Sequence, residues 1–238
     1  MKKLMVISHE RSGTHFMINT LAAMYGLPEK QLDLYIYHGT NTESAYESLG
    51  YKKDVQEHLS ELSTTGTNII KSHHHHAFFE DYDFESNNIQ PIYVHRDVRD
   101  VMVSCHHYFN AHRFLGPLVF PFSLSPYHLA FSVTPHDYRF DRAYSYYKNE
   151  TMIERWKNHV DPFLSDNRFL KVKYKDLNLH FEQTINKVGH IIGDYDENAN
   201  KPTLASQTVT PRKGIVGDWK NYFSESENQH IMQFIGER

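Results

Sequence analysis

The chain has 238 residues, of which 39% are hydrophobic, 23% charged and 14% aromatic, with a formal net charge of -4. That is the length of one domain with a sizeable core. The aromatic content excludes a disordered chain, the acidic balance argues against nucleic acid as a partner, and no apolar run approaches the ~18 residues that span a membrane. One cysteine, Cys105, excludes an internal disulfide and a cysteine-based zinc site, so the expected compartment is cytoplasmic.

The opening MKKLMVISHERSG carries too short an apolar stretch for a secretory leader and reads as a first strand over Leu4–Ile7. Ser12, Gly13 and Thr14 follow, then a helical stripe of Met17, Leu21 and Met24 stopped by Gly26 and Pro28. Val55, Leu59 and Leu62 predict a second helix, and Asn68–Lys71 a second strand. Pro91–His95 predicts a third strand; Asp97 then stands as N-cap of a helix whose stripe is Val98, Val101, Met102, Cys105 and Phe109. Phe169–Tyr174 is the last strand, and Phe181, Ile185, Val188 and Ile192 mark a helix ended by Gly193.

Strands alternating with helices predict an α/β chain: a single domain over residues 1–238, with a central parallel sheet flanked by helices. Residues 111–150 break the pattern with Pro117, Pro121, Pro126 and Pro135 among many aromatics. A segment of that length is either a lid or substrate wall, or a pair of core helices without a clean period.

In such sheets ligands bind beyond the carboxyl ends of the strands. After the first strand comes Arg11-Ser12-Gly13-Thr14-His15-Phe16. A glycine turn opening a helix makes an anion site from converging N–H groups and the helix dipole. The Walker pattern GxxxxGK[ST] is absent. Lys71-Ser72-His73 follows the second strand, and Arg96-Asp97-Val98-Arg99-Asp100-Val101, with Ser104 further into the helix, follows the third. Arg212-Lys213-Gly214 opens a loop suited to a phosphate. Taken singly, each is also an ordinary turn, solvated loop or helix start.

Their joint occurrence in order resembles the cytosolic-type sulfotransferases, which move a sulfuryl group from 3′-phosphoadenosine 5′-phosphosulfate (PAPS) to an alcohol, phenol or amine. RSGTHF is similar to that family's 5′-phosphosulfate loop, Lys71-Ser72-His73 to its K-x-H, and YVHRDVRDVMVS to its 3′-phosphate element. Tyr174-Lys175-Asp176-Leu177 is similar to its Y-x-D-L, and RKGIVGDWKNYF to its C-terminal RKGxxGDWKNxF. The resemblance implies Arg11, Lys71 and His73 as catalytic residues. It implies Arg11, Ser12, Gly13, Thr14, His15, Phe16, Arg96, Ser104, Tyr174, Arg212, Lys213 and Gly214 as binding residues for PAPS and its product PAP.

The resemblance further implies a P-loop-like fold, residues 111–150 as an acceptor-site lid or insertion, and a small-molecule or glycan acceptor. The cations Arg11, Lys71, Arg96 and Lys213, with only Glu10 as a carboxylate beside the first loop, predict that no metal is required. Arg11 stands where the family usually has lysine, and Phe16 where an adenine-stacking tryptophan is common. The family's dimer motif falls on Lys220, Ser224, Glu225 and Gln229 in altered form, so a monomer, or a dimer through another surface, is expected. The alternatives are another P-loop-like transferase, such as a nucleotide or metabolite kinase, and an inactive nucleotide-binding protein.

Four consecutive histidines, His73–His76, invite a metal reading, but no HExxH-type spacing supports one. If the strand ran on, His73 and His75 would share a face and His74 and His76 would turn away. Cys105 reads as a small buried residue and not a nucleophile.

Overall fold

The computed structural model describes residues 2–27, 32–33, 49–64, 69–111, 124–132, 150–203 and 214–236. Within them run β1 (Lys3–Ser8), α1 (Thr14–Tyr25), β2 (Leu32–Asp33), α2 (Leu49–Thr64), β3 (Ile69–Ser72) and β4 (Ile89–His95). Then follow α3 (Val98–Ala111), α4 (Pro126–Ser132), α5 (Met152–Ser165), β5 (Leu170–Lys173), α6 (Tyr174–Leu179), α7 (Phe181–Ile192) and α8 (Glu225–Ile235).

The sheet has five strands in the order β2-β3-β1-β4-β5, and every pairing is parallel. The central strand β1 shows why. Its side chains are buried along its whole length. Leu4 and Val6 pack with α1, α6 and α7 on one face, while Met5 and Ile7 pack with α2, α3 and α5 on the other. A strand covered on both faces needs a continuous apolar run, which LMVI supplies. The two-residue β2 is too short to leave a periodic signal in the sequence.

The helix ends follow local chemistry. Gly26 closes α1 at φ 57°, the left-handed region that glycine enters without strain. Asp97 accepts the Arg99 backbone N–H at 2.9 Å, the expected N-cap contact for α3. Thr151 opens α5 with a capping box to Glu154, worth about 1 kcal/mol. Ser224 opens α8 in the same way with Glu227, so this position of the altered motif serves to start a helix.

Two expectations change. Pairing ends at Ser72, so His73–His75 are not strand and His76 begins a 3-10 turn; burial still alternates as far as His75, with Ser72 and His74 buried and His73 and His75 half-buried. Tyr174 is the first residue of α6 and not the last of β5. Arg212, Lys213, Asn68, the side chains of Leu62 and Phe109, and residues 112–123 and 133–149 lie outside the described residues, so the phosphate-loop cations and most of the 111–150 segment do too. Among the described residues, no helix is long and apolar enough to cross a membrane.

Candidate active site

Four strands stop together at one edge. Register pairs Ile7 with Ser72, Ser8 with Val94 and His95 with Lys173. The next residue in each case is His9, His73, Arg96 or Tyr174. The motifs separated in sequence are thereby delivered to one place by the parallel sheet itself.

The loop from β1 to α1 takes two left-handed residues, Arg11 at φ 63° and Gly13 at φ 101°. Gly13 is required for a second reason: a Cβ there would lie 2.4 Å from Tyr174 Cδ2. Ser8 Oγ and Thr14 Oγ1 are 2.6 Å apart, and this bond pins the first turn of α1 to the end of β1. Ser12 is fully buried, and its Oγ has no hydrogen-bond partner among the described residues. A buried orphan hydroxyl at a helix start, where backbone N–H groups point along the axis, suits an oxygen-rich anion.

Arg96 ties the site together. Its Nη1 donates to the Arg11 carbonyl at 3.3 Å and its Nη2 to the Ile215 carbonyl at 3.2 Å. Its guanidinium lies over the Tyr174 ring, 4.4 Å from the centroid, and its buried Nε has no hydrogen-bond partner among the described residues. Arg11 reaches the other way: its Nε donates to Ser104 Oγ at 3.1 Å, and its guanidinium lies 4.8 Å from the Tyr108 ring centroid. Gly214 is held by two donors, the Tyr174 hydroxyl at 3.2 Å and Asn178 Nδ2 at 3.0 Å. The structure therefore brings Arg11, Ser12, Gly13, Thr14, Arg96, Ser104, Tyr174 and Gly214 into one cluster.

Phe16 sits elsewhere. It is 1% exposed, edge-on to Tyr174 and stacked near Phe181, with Lys201 Nζ 5.8 Å from its ring. As found it is a core residue, and stacking on an adenine would require Phe181 or Tyr174 to give way. His15, beside it, is half-buried at the start of α1.

Lys71 and His73 are half-buried on either side of buried Ser72. The His73 Nδ1 lies 2.8 Å from the Ser8 carbonyl oxygen. A carbonyl only accepts, so Nδ1 carries the proton and the lone pair is on Nε2. His75 is different, since both of its ring nitrogens are engaged. Nε2–H donates to the Asn158 carbonyl at 2.7 Å, and Nδ1 accepts the Ala77 N–H at 3.3 Å. His74 is buried against Ser72, Phe78 and Phe79, and His76 pairs with Asp166 at 2.9 Å. The tract is four histidines with four different partners. Among the described residues no group of three or more His, Cys, Asp or Glu side chains could hold a metal ion.

Several site residues carry no motif. Asp100 accepts backbone N–H groups from Gly217 at 2.8 Å and Trp219 at 3.1 Å, clasping the GDWK segment to the start of α3. Behind the β1 loop, Arg155 Nη2 donates to both Glu10 carboxylate oxygens at 2.7 Å, and its Nη1 donates to His9 Nε2 at 2.9 Å. Burial, then the Arg155 charge, lowers the His9 pKa to about 4. Burial alone would raise Glu10, but Arg155 with His9, His73 and His159 hold it well below the usual carboxylate range. Burial, foremost, keeps the His159 imidazole neutral. It also pushes the Cys105 thiol up to about 12, which leaves no thiolate near neutral pH. Asp100 could have been suspected from its place inside RDVRDV; Arg155 and His159 sit in an unremarked amphipathic helix.

The model of the sulfotransferase domain family matches residues 1–238. Human sulfotransferase 2B1 is 24% identical over 175 residues, 61% of this chain. The chain spans 43% of that relative's length. Mouse sulfotransferase SULT7A1, solved with PAP, superposes with a TM-score of 0.63 at 16% identity, covering 98% of this chain and 82% of that one. A retinol dehydratase solved with androsterone and PAP gives a TM-score of 0.56 at 15% identity, covering 98% and 79%.

Proposed function

This chain belongs to the sulfotransferase domain family along its whole length, and from that premise we propose that it is a PAPS-dependent sulfotransferase acting on a hydroxyl or amine of a small-molecule or glycan acceptor. Residues 1–238 form one such domain on this reading. The observation that carries it is the Arg96 guanidinium, which joins the β1 loop, Tyr174 and the segment after Gly214 in one contact set. The GxxxxGK[ST] pattern with which a nucleotide kinase of the Walker type holds its phosphates is absent from the chain.

The donor supplies a sulfuryl group on a phosphate: the acceptor oxygen or nitrogen bonds to sulfur as the bridging sulfur–oxygen bond breaks, and PAP departs with the electron pair. Everything else falls to the chain. Ser12, Gly13, Thr14 and His15 line the helix start that takes the 5′-phosphate. Arg11 lies against the bridging oxygen, where charge develops; Lys71 lies against the non-bridging sulfonate oxygens. His73 Nε2 takes the acceptor's proton, a step worth on the order of 10²–10⁴ in rate. Arg96 and Ser104, with Arg212, Lys213 and Gly214, hold the 3′-phosphate. Phe16 meets the adenine if Phe181 shifts.

No metal is needed on this reading, because Arg11, Lys71, Arg96 and Lys213 supply enough positive charge to neutralise the donor. Activity that EDTA abolishes and magnesium restores counts against it. A cytoplasmic location rests on the single cysteine, and a monomer, or a dimer through some other surface, on the altered Lys220–Gln229 segment. The decisive experiment is transfer of radiolabelled sulfate from PAPS across phenols, alcohols, sugars and amines, with ATP as the competing donor. Transfer of phosphate from ATP and none of sulfate from PAPS overturns the proposal.

A further inference from the structure

Helix α5 presents two buried polar residues one turn apart, Arg155 and His159. Apolar burial alone would seat this helix, since Met152, Ile153, Trp156, Val160 and Phe163 already face the core. The two polar residues grip opposite sides of the site. Arg155 holds Glu10 and His9 of the β1 loop. His159 Nε2–H donates to the His73 carbonyl at 3.3 Å, and its Nδ1 accepts the Tyr93 hydroxyl at 2.9 Å. The His9 and His159 rings meet edge-on at 5.6 Å. His73, in turn, donates from Nδ1 to Ser8, two residues before Glu10. The candidate base and the donor loop are thus fixed to one another and to one helix turn.

A buried ion pair is a weak source of stability, because desolvation offsets most of its attraction. Its value here lies in what it faces. Resting on the reading of His73 as the base, we propose that Glu10 and Arg155 are a positioning pair: together they fix His73 against the donor loop, and the balance of their two charges sets its basicity.

Among the described residues, the groups around His73 are His9, Glu10 and Arg11 from the end of β1, Arg155 and His159 from α5, Tyr93 from β4, and Lys71, His74 and His75 from its own segment. Burial keeps His9 and His159 neutral, so the charges that count are Glu10, Arg155, Arg11 and Lys71. Glu10 is the one anion among them, and it interacts electrostatically with His73. Removing its charge leaves Arg155 unbalanced and disfavours the imidazolium. Removing the Arg155 charge leaves Glu10 unbalanced and favours it.

The two single substitutions therefore have opposite effects, which a purely structural pair would not produce. The test is an NMR titration of the His73 ring in the full chain with PAP added, the signal being assigned by its loss in His73→Gln. In Glu10→Gln the His73 pKa falls by about half a unit or more; in Arg155→Met it rises by a similar amount. In the double variant it returns to near the wild-type value. Should Arg155→Met not fold, Arg155→Lys, which keeps the charge and leaves the titration in place, stands in beside Glu10→Gln. Shifts of Glu10→Gln and Arg155→Met in the same direction, no shift in Glu10→Gln, or a shift in Arg155→Lys as large as that in Glu10→Gln, overturn the proposal while leaving the sulfotransferase reading intact. If the titration moves as stated but the acid limb of kcat/KM does not follow it, His73 is not the base, and both readings of that residue fall.

Discussion

Arg11 Nε donates to Ser104 Oγ at 3.1 Å across 93 residues of sequence, which places the end of β1 against the second turn of α3. The Arg96 guanidinium closes the other side of the same loop through the Arg11 carbonyl. Loop conformation and the proposed 3′-phosphate site are therefore one structure. On this geometry Arg96→Met and Ser104→Ala each weaken PAP by about 1.5–3 kcal/mol, the cost of a charge-assisted contact. Calorimetry with adenosine 5′-phosphosulfate, which lacks the 3′-phosphate, is the control: wild type binds it far more weakly than PAPS, and equal affinities refute the assignment.

Gly13 admits no side chain. Gly13→Ala brings a Cβ to 2.4 Å from Tyr174 and strains a residue at φ 101°. The expected loss is about 1–3 kcal/mol of stability, with PAP affinity falling alongside because Tyr174 also holds Gly214. A thermal melt and a PAP titration on the same variant check it; an unchanged melting temperature contradicts the crowding.

His73→Ala lowers kcat by about 10²-fold or more while leaving PAP affinity nearly intact. His75→Ala stays within a few fold, because both ring nitrogens of His75 are engaged by backbone groups; its cost appears in stability. Single-turnover assays with one true acceptor separate the two, and a larger loss in His75→Ala reverses the assignment.

Acid destabilises the fold in a defined window. His9 titrates at about 4 in the folded chain against 6.5 in its ordinary state, so the unfolded chain binds the proton first as pH falls. Its stabilisation is complete above about pH 6.5 and is lost progressively towards pH 4, on the order of 3 kcal/mol. His159, also lowered by burial, adds to the same loss. Glu10, held low chiefly by Arg155 against the effect of burial, adds to it below about 4.5. Melting temperatures measured from pH 8 to pH 4 show a plateau and then a decline; His9→Gln flattens the decline between 6.5 and 4.

Much of the fold was legible because a parallel sheet obeys short-range rules. LMVI, PIYVH and FLKVKY are apolar runs of strand length. The residues that follow a buried strand must emerge at its carboxyl edge, so Arg11, Lys71, His73 and Arg96 could be nominated before any coordinates. Gly26, Asp97 and Gly193 end or start helices through backbone requirements that the residue type itself carries.

What the sequence could not decide depends on where pairing stops and how helices dock. Four identical histidines carry no information about their partners. Only the end of β3 at Ser72 and the approach of α5 give His73 a proton on Nδ1, tie His75 to Asn158 and send His76 to Asp166. Phe16 occupies the position of a stacking aromatic, yet the packing of α7 turns it into core. The Glu10–Arg155 pair was hidden for the same reason. A buried arginine on an amphipathic helix looks like any solvated one until the tertiary fold removes its water and presents a carboxylate from 145 residues away.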